Sequence, residues 1–325
     1  MRVVAISILC VVSLLAAPTC VIGQEQKGTM ARVGYIRSGT QETDPYREAF
    51  RRGMRDLGYV EGRNVAFVFR YYGTEVGKVS ALTAELARSK VDVIAVGGVA
   101  AVRAARAVTR TVPVVMLAND PVGSELISSL TRPGDNITGI AMLSPEITGK
   151  RLELLKEFFK PARIAIVQNP DSPAHSGTVK AIEPVARALG VTLRVFEVRK
   201  AEEIGPALEI MKQWPADAAV VLDDAALIAL RTPLAEQAVQ RRIPLVCGYR
   251  EMAQAGCLFA YSPNLATAWQ RMANYVDKIL KGAKAGDLPV EQPTHFELVI
   301  NLKTAKTLGL AIPPALFARA DEVIQ

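Results

Sequence analysis

Histidine and tryptophan are scarce in this 325-residue chain, and several motifs of catalytic chemistry are missing. Of the two histidines, His175 and His295, neither has neighbours at the spacing of metal ligands. There is no Gly-x-Ser-x-Gly elbow and no P-loop lysine motif, and Gly97-Gly98 lacks the third glycine of a dinucleotide fingerprint. We therefore expect no metal, no cofactor and no catalysis, with His175 at the surface and His295 in a loop.

Cysteine is also rare. Of four cysteines, Cys10 and Cys20 lie in the apolar N-terminal segment, which leaves Cys247 and Cys257. Each of these two lies in or beside an apolar, strand-like run, and we expect two buried free thiols. An oxidising compartment would permit a disulfide, but pairing requires Cα atoms within about 7 Å of each other, and the sequence does not contain that distance.

After the N-terminus, no apolar run is long enough to span a bilayer. Arg2 precedes the apolar run Val3–Ala17, and small residues follow. This pattern is typical of a secretory signal peptide, so we expect export to the periplasm and removal of residues 1–23 by cleavage before Gln24. A lipoprotein is the weaker interpretation, because the residues before Cys20 match a lipidation motif poorly.

Charge is spread along the chain and does not form a stripe. Lys plus Arg number 39 and Asp plus Glu number 32, which gives a net charge of +7. Without a basic stripe we expect no nucleic-acid partner. Half of the residues are hydrophobic, and the length suffices for two domains that each have a core.

Apolar, β-branched runs alternate with amphipathic helical patterns, as is typical of βαβ units. The runs are continuously hydrophobic, which predicts buried parallel strands. The predicted strands are Arg32–Ile36, Val65–Tyr71, Val91–Val96, Val112–Ala118, Ile137–Leu143, Arg163–Gln168, Thr192–Val198, Ala218–Leu222, Pro244–Gly248, Cys257–Tyr261 and Phe296–Ile300. The predicted helices include Tyr46–Leu57, Val79–Ser89, Ala100–Thr109, Lys150–Phe159, Gly177–Leu189 and Leu265–Leu280. The pattern pauses at Ser144–Gly149, which indicates a boundary between two α/β domains.

Polar and small residues follow many of the predicted strands. Ligands of open parallel sheets bind outside the carboxyl ends of the strands, so these positions are candidate binding residues. They are Ser38, Gly39, Thr40, Gly97, Gly98, Asn119 and Asp120 in the first half, and Asn169, Ser172, Asp223 and Tyr249 in the second. Helix capping is the other interpretation for each polar residue. Together they predict a ligand cleft, in which backbone amides at Gly98 and Val99 favour an anionic group.

Longer segments carry a resemblance to a known family. They are RDLGYVEGRNV (Arg55–Val65), VDVIAVGGVAAVRAA (Val91–Ala105), NDPVGSELISSLTRPGDNITGI (Asn119–Ile140), GKRLELLKE (Gly149–Glu157) and PTHFELVINLKTAKTLGLAIPPALFARADEVI (Pro293–Ile324). In this order they resemble the ABC transporter substrate-binding proteins that include the tryptophan- and tyrosine-binding type. The resemblance runs from about Ala31 to Ile324, and the loop LDDAALIALRTP (Leu222–Pro233) departs from the family pattern.

The resemblance implies a type I periplasmic-binding-protein fold. This α/β fold has two Rossmann-like lobes of parallel sheet flanked by helices, with a hinge of three crossovers. The implied N-terminal lobe is residues 30–142 and 264–291, and the implied C-terminal lobe is residues 143–263 and 292–325.

The resemblance also implies a ligand and a partner. The ligand would be a small molecule, an amino acid or a small carboxylate, held by hinge closure. It would lie between Ser38, Gly98 and Asp120 on one side and Asn169, Asp223 and Tyr249 on the other. The partner would be an ABC permease in the inner membrane. The binding protein itself would be a monomer.

Other classes share these features in part. A sensory binding protein that reports to a receptor would have the same lobes, and this alternative stays open. A secreted α/β enzyme is a second alternative, which the missing catalytic motifs disfavour. A sugar-responsive transcription factor would carry a helix-turn-helix where this chain has its signal-like segment.

Overall fold

Two β-sheets organise residues 30–325, which are the residues that the computed structural model describes. The predicted signal peptide and its two cysteines lie outside these residues. Runs of Val, Ile and Ala form the inner strands because both faces of such strands are covered. Val93–Gly97, for example, is buried along its whole length.

The first sheet alternates strands and helices. Its elements are β1 (Ala31–Arg37), α1 (Arg47–Asp56), β2 (Val65–Tyr71), α2 (Lys78–Arg88), β3 (Val93–Gly97), α3 (Val99–Val108), β4 (Val114–Asn119) and β5 (Ile137–Met142). The strand order is β2-β1-β3-β4-β5, and all pairs are parallel. Their carboxyl ends therefore meet at one edge.

The second sheet continues the alternation. Its elements are α4 (Ser144–Phe159), β6 (Arg163–Gln168), α5 (His175–Ala188), β7 (Thr192–Glu197), α6 (Ile204–Gln213), β8 (Ala218–Val221), α7 (Ala225–Ala229), α8 (Arg231–Gln240), β9 (Leu245–Cys247), α9 (Arg250–Ala255), β10 (Phe259–Ser262), α10 (Leu265–Leu280), β11 (Glu297–Asn301), α11 (Leu302–Leu308), α12 (Pro314–Phe317) and β12 (Glu322–Ile324). The strand order is β12-β11-β10-β9-β8-β6-β7.

The structure departs from the sequence predictions at three places. The pause predicted at Ser144–Gly149 is the first part of α4, which Pro145 can begin because its missing N–H lies in the first turn. β11 runs antiparallel to β10, so the second sheet is not wholly parallel. β12 was not predicted, since its three residues are too few to form a recognisable run.

Helix α10 follows a strand of the second sheet but packs against the first. It contacts α1 and strands β3, β4 and β5. A Cβ atom at Gly53 of α1 would lie 2.3 Å from the carbonyl oxygen of Gln270, so the two helices are in backbone contact that only glycine permits. This packing places Trp269 at the carboxyl edge of the first sheet. The chain thus passes between the sheets after β5, after β10 and after α10.

Candidate functional site

A narrow cavity lies between the carboxyl ends of the two sheets. Its first wall comes from the first sheet and α10, with polar and small residues Arg37, Ser38, Gly97, Gly98, Asn119 and Trp269. Leu117, Met142 and Leu265 are the apolar residues of this wall. The second wall consists of Asp224, Ala225, Ile228 and Tyr249. The cavity volume is about 40 Å³, which is room for a few water molecules.

Arg37, the last residue of β1, is the cation of the first wall. Its side chain is 7% exposed, and its Nε lies 3.3 Å from Oδ1 of Asp44. The guanidinium carbon lies 4.1 Å from the ring centroid of Tyr46 and 5.4 Å from that of Trp269. An ion pair and two aromatic faces therefore compensate the burial of this charge.

Asp44 is buried, and its carboxylate is surrounded by donors. Besides Arg37, Oδ1 accepts a hydrogen bond from the backbone N–H of Tyr46 at 3.0 Å. Oδ2 accepts from the hydroxyls of Tyr35 at 2.8 Å and Tyr71 at 3.1 Å. Burial raises the pKa of both tyrosines and the charge of Asp44 raises it further, so both remain hydroxyl donors.

Three buried polar atoms of the first wall have no hydrogen-bond partner among the described residues. They are Nε of Arg37, Oγ of Ser38 and Nε1 of Trp269. The two nitrogens are donors only, and the serine hydroxyl can donate as well. Unpaired buried polar groups are rare and cost roughly 1–3 kcal/mol each. Since Nε of Arg37 faces Asp44, the hydroxyl of Ser38 and the indole N–H of Trp269 are the two groups that acceptor atoms of a ligand would complete.

The glycines after β3 shape the first wall. A Cβ atom at Gly97 would lie 2.6 Å from the Trp269 ring, so the indole fits only because residue 97 has no side chain. Gly98 has a φ of 98°, in the region that favours glycine, and α3 begins directly after it. Its N–H donates to the carbonyl oxygen of Leu117 at 2.9 Å. The prediction that the Gly98 amide is available to an anion is therefore wrong, because the first sheet already uses it, and the Val99 amide stays a prediction.

Asp224 is the acidic residue of the second wall and the N-cap of α7. Its Oδ1 accepts hydrogen bonds from the N–H groups of Ala226 and Leu227 at 2.9 and 3.3 Å, and from Nδ2 of Asn169 at 3.0 Å. Tyr249 follows β9, and burial raises the pKa of its hydroxyl. The second wall thus presents a carboxylate and a protonated phenol to the donors of the first.

Behind the second wall, Asp223 forms a buried ion pair with Arg151. Nη2 of Arg151 lies 2.8 Å from Oδ2 of Asp223, and Nε donates to the carbonyl oxygen of Tyr261 at 2.9 Å. His175 is also buried here, with Nε2 3.3 Å from the carbonyl oxygen of Asp223 and Nδ1 3.0 Å from the backbone nitrogen of Asn169. The predicted surface position of His175 is wrong, because its ring is buried and contacts three backbone atoms, the nitrogen and oxygen of Asn169 and the oxygen of Asp223.

Two hydrogen bonds connect the first sheet to the second beside the cavity. Nδ2 of Asn119 donates to the carbonyl oxygen of Asp223 at 2.6 Å. Nη2 of Arg231 donates to the carbonyl oxygen of Thr43 at 3.2 Å. These contacts hold the carboxyl edges of the two sheets together, and the cavity between them is correspondingly narrow.

This arrangement has counterparts among known proteins. The sequence model of the family described as ABC transporter substrate binding protein matches residues 41–324. The chain belongs to the ABC transporter substrate-binding protein family. Members of this family bind solutes and are not enzymes.

Individual proteins also resemble this substrate-binding protein in sequence and fold. The tyrosine-binding protein of Clostridioides difficile strain R20291 is 23% identical over 270 residues, which are 82% of this chain and 77% of that protein. A conserved domain protein from Vibrio cholerae has a crystal structure with TM-score 0.84 and 25% identity, over 90% of this chain and 99% of that one. An ABC domain from Streptococcus pneumoniae in complex with L-Trp has TM-score 0.84 and 23% identity, over 91% and 100%. The predicted fold, that of type I periplasmic binding proteins, is confirmed.

The predicted site residues of this substrate-binding protein fall into two groups. The cavity is lined by Ser38, Gly97, Gly98, Asn119 and Tyr249. Asn169 and Asp223 do not line it and lie behind the second wall, where Asn169 contacts Asp224 and Asp223 receives the hydrogen bond of Asn119.

The other four predicted residues lie outside the cavity. Gly39 forms an isolated bridge to a neighbouring loop, and Thr40 is exposed. The carboxylate of Asp120 accepts from the N–H of Gly123 at 3.0 Å, within a turn. Ser172 is buried, and its N–H donates to the carbonyl oxygen of Asn169 in the loop before α5. For Asp120, the observed contact is the local turn that short polar side chains often make.

Sequence reasoning missed eight residues of the walls as site residues. Five are apolar, namely Leu117, Met142, Ala225, Ile228 and Leu265, and three have polar groups, namely Arg37, Asp224 and Trp269. Arg37 directly precedes Ser38, and a charged residue that ends a buried strand was a usable signal. Asp224 directly follows the predicted Asp223, so that prediction was one residue away from the residue that lines the cavity. Trp269 gave no local signal, because α10 follows the second sheet in sequence and reaches the first only by packing.

Cys247 and Cys257 form a disulfide, with their Cα atoms 6.3 Å apart. The expectation of two free thiols is therefore wrong. The pairing of β9 with β10 brings the two segments side by side, which the sequence alone does not reveal. The bond closes a loop that contains Tyr249 and the whole of α9.

Two further kinds of feature concern residues 30–325, a metal-ligand cluster and a membrane-spanning helix. In this range no cluster of three or more His, Cys, Asp and Glu side chains is suited to a metal ion. Nor does any helix described by the structure have the length and apolarity to cross a membrane. His295 is exposed in the loop before β11, as predicted.

Proposed function

We propose that this protein is the periplasmic receptor of an ABC importer and binds an amino acid or another small carboxylate between its two walls. The set of unpaired donors on the first wall, opposite the carboxylate of Asp224, carries this proposal. A ligand with an acceptor group at one end and a donor group at the other complements both walls. Its binding would remove the unfavourable free energy of the unpaired donors.

The ligand class is supported by relatives and by the lining. One relative is named for tyrosine, and the pneumococcal structure contains L-Trp. Leu117, Met142, Ile228 and Leu265 add apolar surface to the cavity, which suits the side chain of an apolar or aromatic amino acid. A sugar has many hydroxyls, which would need more hydrogen-bonding side chains than these residues offer.

Hinge closure follows from the placement of the walls on different sheets. We assign one lobe to residues 30–142 and 264–291 and the other to residues 143–263 and 292–325. An amino acid is larger than this cavity, so the lobes must separate for its entry and must stand farther apart in the bound form than they do here, which breaks the hydrogen bond from Asn119. The ligand then favours closure only through its contacts with both walls.

The cell context remains part of the proposal. Residues 1–23 would direct export, and the mature monomer would start at Gln24 in the periplasm. The closed form would present its surface to the permease in the inner membrane. Transport follows when the permease separates the lobes again.

A thermal-shift screen of the mature protein tests the binding function. The protein is unfolded and refolded to remove any carried-over ligand, and is then exposed to amino acids, aromatic acids, sugars and nucleosides. A ligand at 100 times its Kd raises the unfolding free energy by about 2.7 kcal/mol, which raises Tm by several degrees. We expect the shift with an amino acid or a small carboxylate.

A pair of variants on α7 locates the site. Ala225→Leu fills the cavity beside Gly98 and should abolish the shift, whereas Ala229→Leu is on the same helix outside the cavity and should keep it. Equal shifts of Tm in both variants would show that the ligand binds outside this cavity. A wild-type protein that responds to no member of the panel would contradict the receptor function.

A further inference from the structure

We propose that Arg37 receives the carboxylate of the ligand end-on, through Nη1 and Nη2. The inference rests on the proposed function, because it orients a ligand in the same cavity. It places the acidic end of the ligand against the first sheet.

The contacts of Arg37 leave one direction open. Its Nε lies 3.3 Å from Oδ1 of Asp44, and its guanidinium carbon lies 4.1 Å from the ring centroid of Tyr46 and 5.4 Å from that of Trp269. Nη1 and Nη2 make no hydrogen bond with a described residue, and Arg37 lines the cavity. The free end of the guanidinium therefore faces the space that a ligand would occupy.

Asp44 holds the guanidinium in this orientation. Its two oxygens face four donors, from Arg37, Tyr35, Tyr46 and Tyr71. A buried carboxylate with all these partners cannot turn without losing several hydrogen bonds. The raised pKa of Tyr35 and Tyr71 keeps both hydroxyls protonated well above neutral pH. Arg37 is thus fixed before a ligand arrives, which lowers the entropy lost on binding.

A carboxylate fits this end of the guanidinium better than other anions or hydroxyls. Two parallel N–H groups match the two oxygens of a carboxylate, and such charge-assisted pairs are among the stronger hydrogen bonds in proteins. A phosphate dianion is disfavoured, because the only cation of the two walls is Arg37 and the carboxylates of Asp44 and Asp224 lie nearby. The N–H of Gly98, one of the two backbone amides predicted as anion donors, is already bonded to the carbonyl oxygen of Leu117.

Acid and amide forms of one ligand test the contact. Affinities are measured by calorimetry for L-tyrosine, L-tryptophan and benzoate and for their primary amides. An amide keeps the shape and removes the charge, so we expect wild-type protein to bind the acid about tenfold or more tightly. In Arg37→Met this preference should vanish, and Arg37→Lys, which keeps the charge but loses the fork, should reduce it at least threefold.

Arg103→Met is the matched control, because it removes an exposed arginine from α3 outside the cavity. It should keep the full preference for the acid. An unchanged preference in both Arg37 variants would overturn the contact while leaving the receptor function intact. If Arg37→Met does not fold, the Arg37→Lys result decides alone. Failure of wild-type protein to bind any of the three acids would overturn the contact, and failure across the wider screen would also overturn the receptor function.

Discussion

Two buried arginine–aspartate pairs stand on opposite sides of the cavity, and they differ in what each arginine can still bind. Arg37 lines the cavity as part of the first wall, and its Nε lies 3.3 Å from the carboxylate of Asp44, which lies behind that wall. Arg151 and Asp223 lie behind the second wall, 2.8 Å apart, with side chains 0% and 3% exposed.

The difference separates a binding role from a structural one. Arg37 is held by Asp44 and two rings but keeps an accessible end. Arg151 is enclosed, and it connects α4 to the loop after β8 and to the carbonyl of Tyr261. Its Nη1 also has no hydrogen-bond partner among the described residues, but Arg151 does not line the cavity. Buried ion pairs of equal chemistry thus serve different purposes according to whether the cation reaches the cavity.

The largest effect should come from breaking the enclosed pair. Arg151→Met leaves Asp223 as an unpaired buried charge, and we expect the unfolding free energy to fall by about 3–5 kcal/mol in urea titrations. Lys150→Met, which removes the neighbouring exposed cation and its ion pair with Glu153, should change it by less than about 1 kcal/mol. Equal losses in the two variants would show that the pair contributes no more than a surface contact.

The disulfide should rank second. Cys247→Ser with Cys257→Ser opens the loop that carries Tyr249, and we expect the unfolding free energy to fall by about 2–3 kcal/mol, because the unfolded chain gains entropy. Ligand affinity should fall as well, since the second wall is less rigid. Thiol titration of the denatured, unreduced wild-type protein is the control and should detect no free thiol in the mature chain. Two free thiols would contradict the pairing.

A smaller effect is expected from Ser38→Ala on the first wall. The variant removes an unpaired buried hydroxyl, so the ligand-free protein should be as stable as wild type or slightly more stable. Ligand affinity, measured by calorimetry, should fall roughly two- to tenfold because one hydrogen bond is lost. A drop in stability without a drop in affinity would mean that the hydroxyl serves the fold.

The smallest effect is expected from Thr40→Ala, two residues away. Thr40 is exposed and bonds to Thr43 outside the cavity. Its loss should leave ligand affinity unchanged and shift the unfolding free energy by less than about 0.5 kcal/mol. An affinity loss as large as that of Ser38→Ala would show that the loop of Thr40 also contacts the ligand.

Much of the fold was predictable from the sequence. Val65–Tyr71, Arg163–Gln168 and Leu265–Leu280 have the predicted bounds, because buried strands and amphipathic helices leave strong hydrophobic patterns. The antiparallel pairing of β11 left no such pattern. A continuously apolar strand can pair in parallel or antiparallel. Which of the two occurs depends on the end of the sheet from which the connecting chain enters the strand.

The candidate site was predictable only in part. Ser38, Gly98 and Asn119 were found because ligands of parallel sheets lie beyond strand ends, a rule that needs only the strand positions. Whether a given polar residue faces the cavity or a local turn, as at Asp120, depends on the orientation of its side chain. That orientation follows from packing and not from position along the chain.

The sequence by itself determined the α/β class, the succession of strands and helices, and the family, since each depends on local pattern or motif. Only the tertiary structure decided that Trp269 joins the first wall, that Cys247 pairs with Cys257 and that Arg37 is open where Arg151 is enclosed. Each of these depends on distances between residues far apart in the chain, and such distances exist only after the sheets and helices have packed.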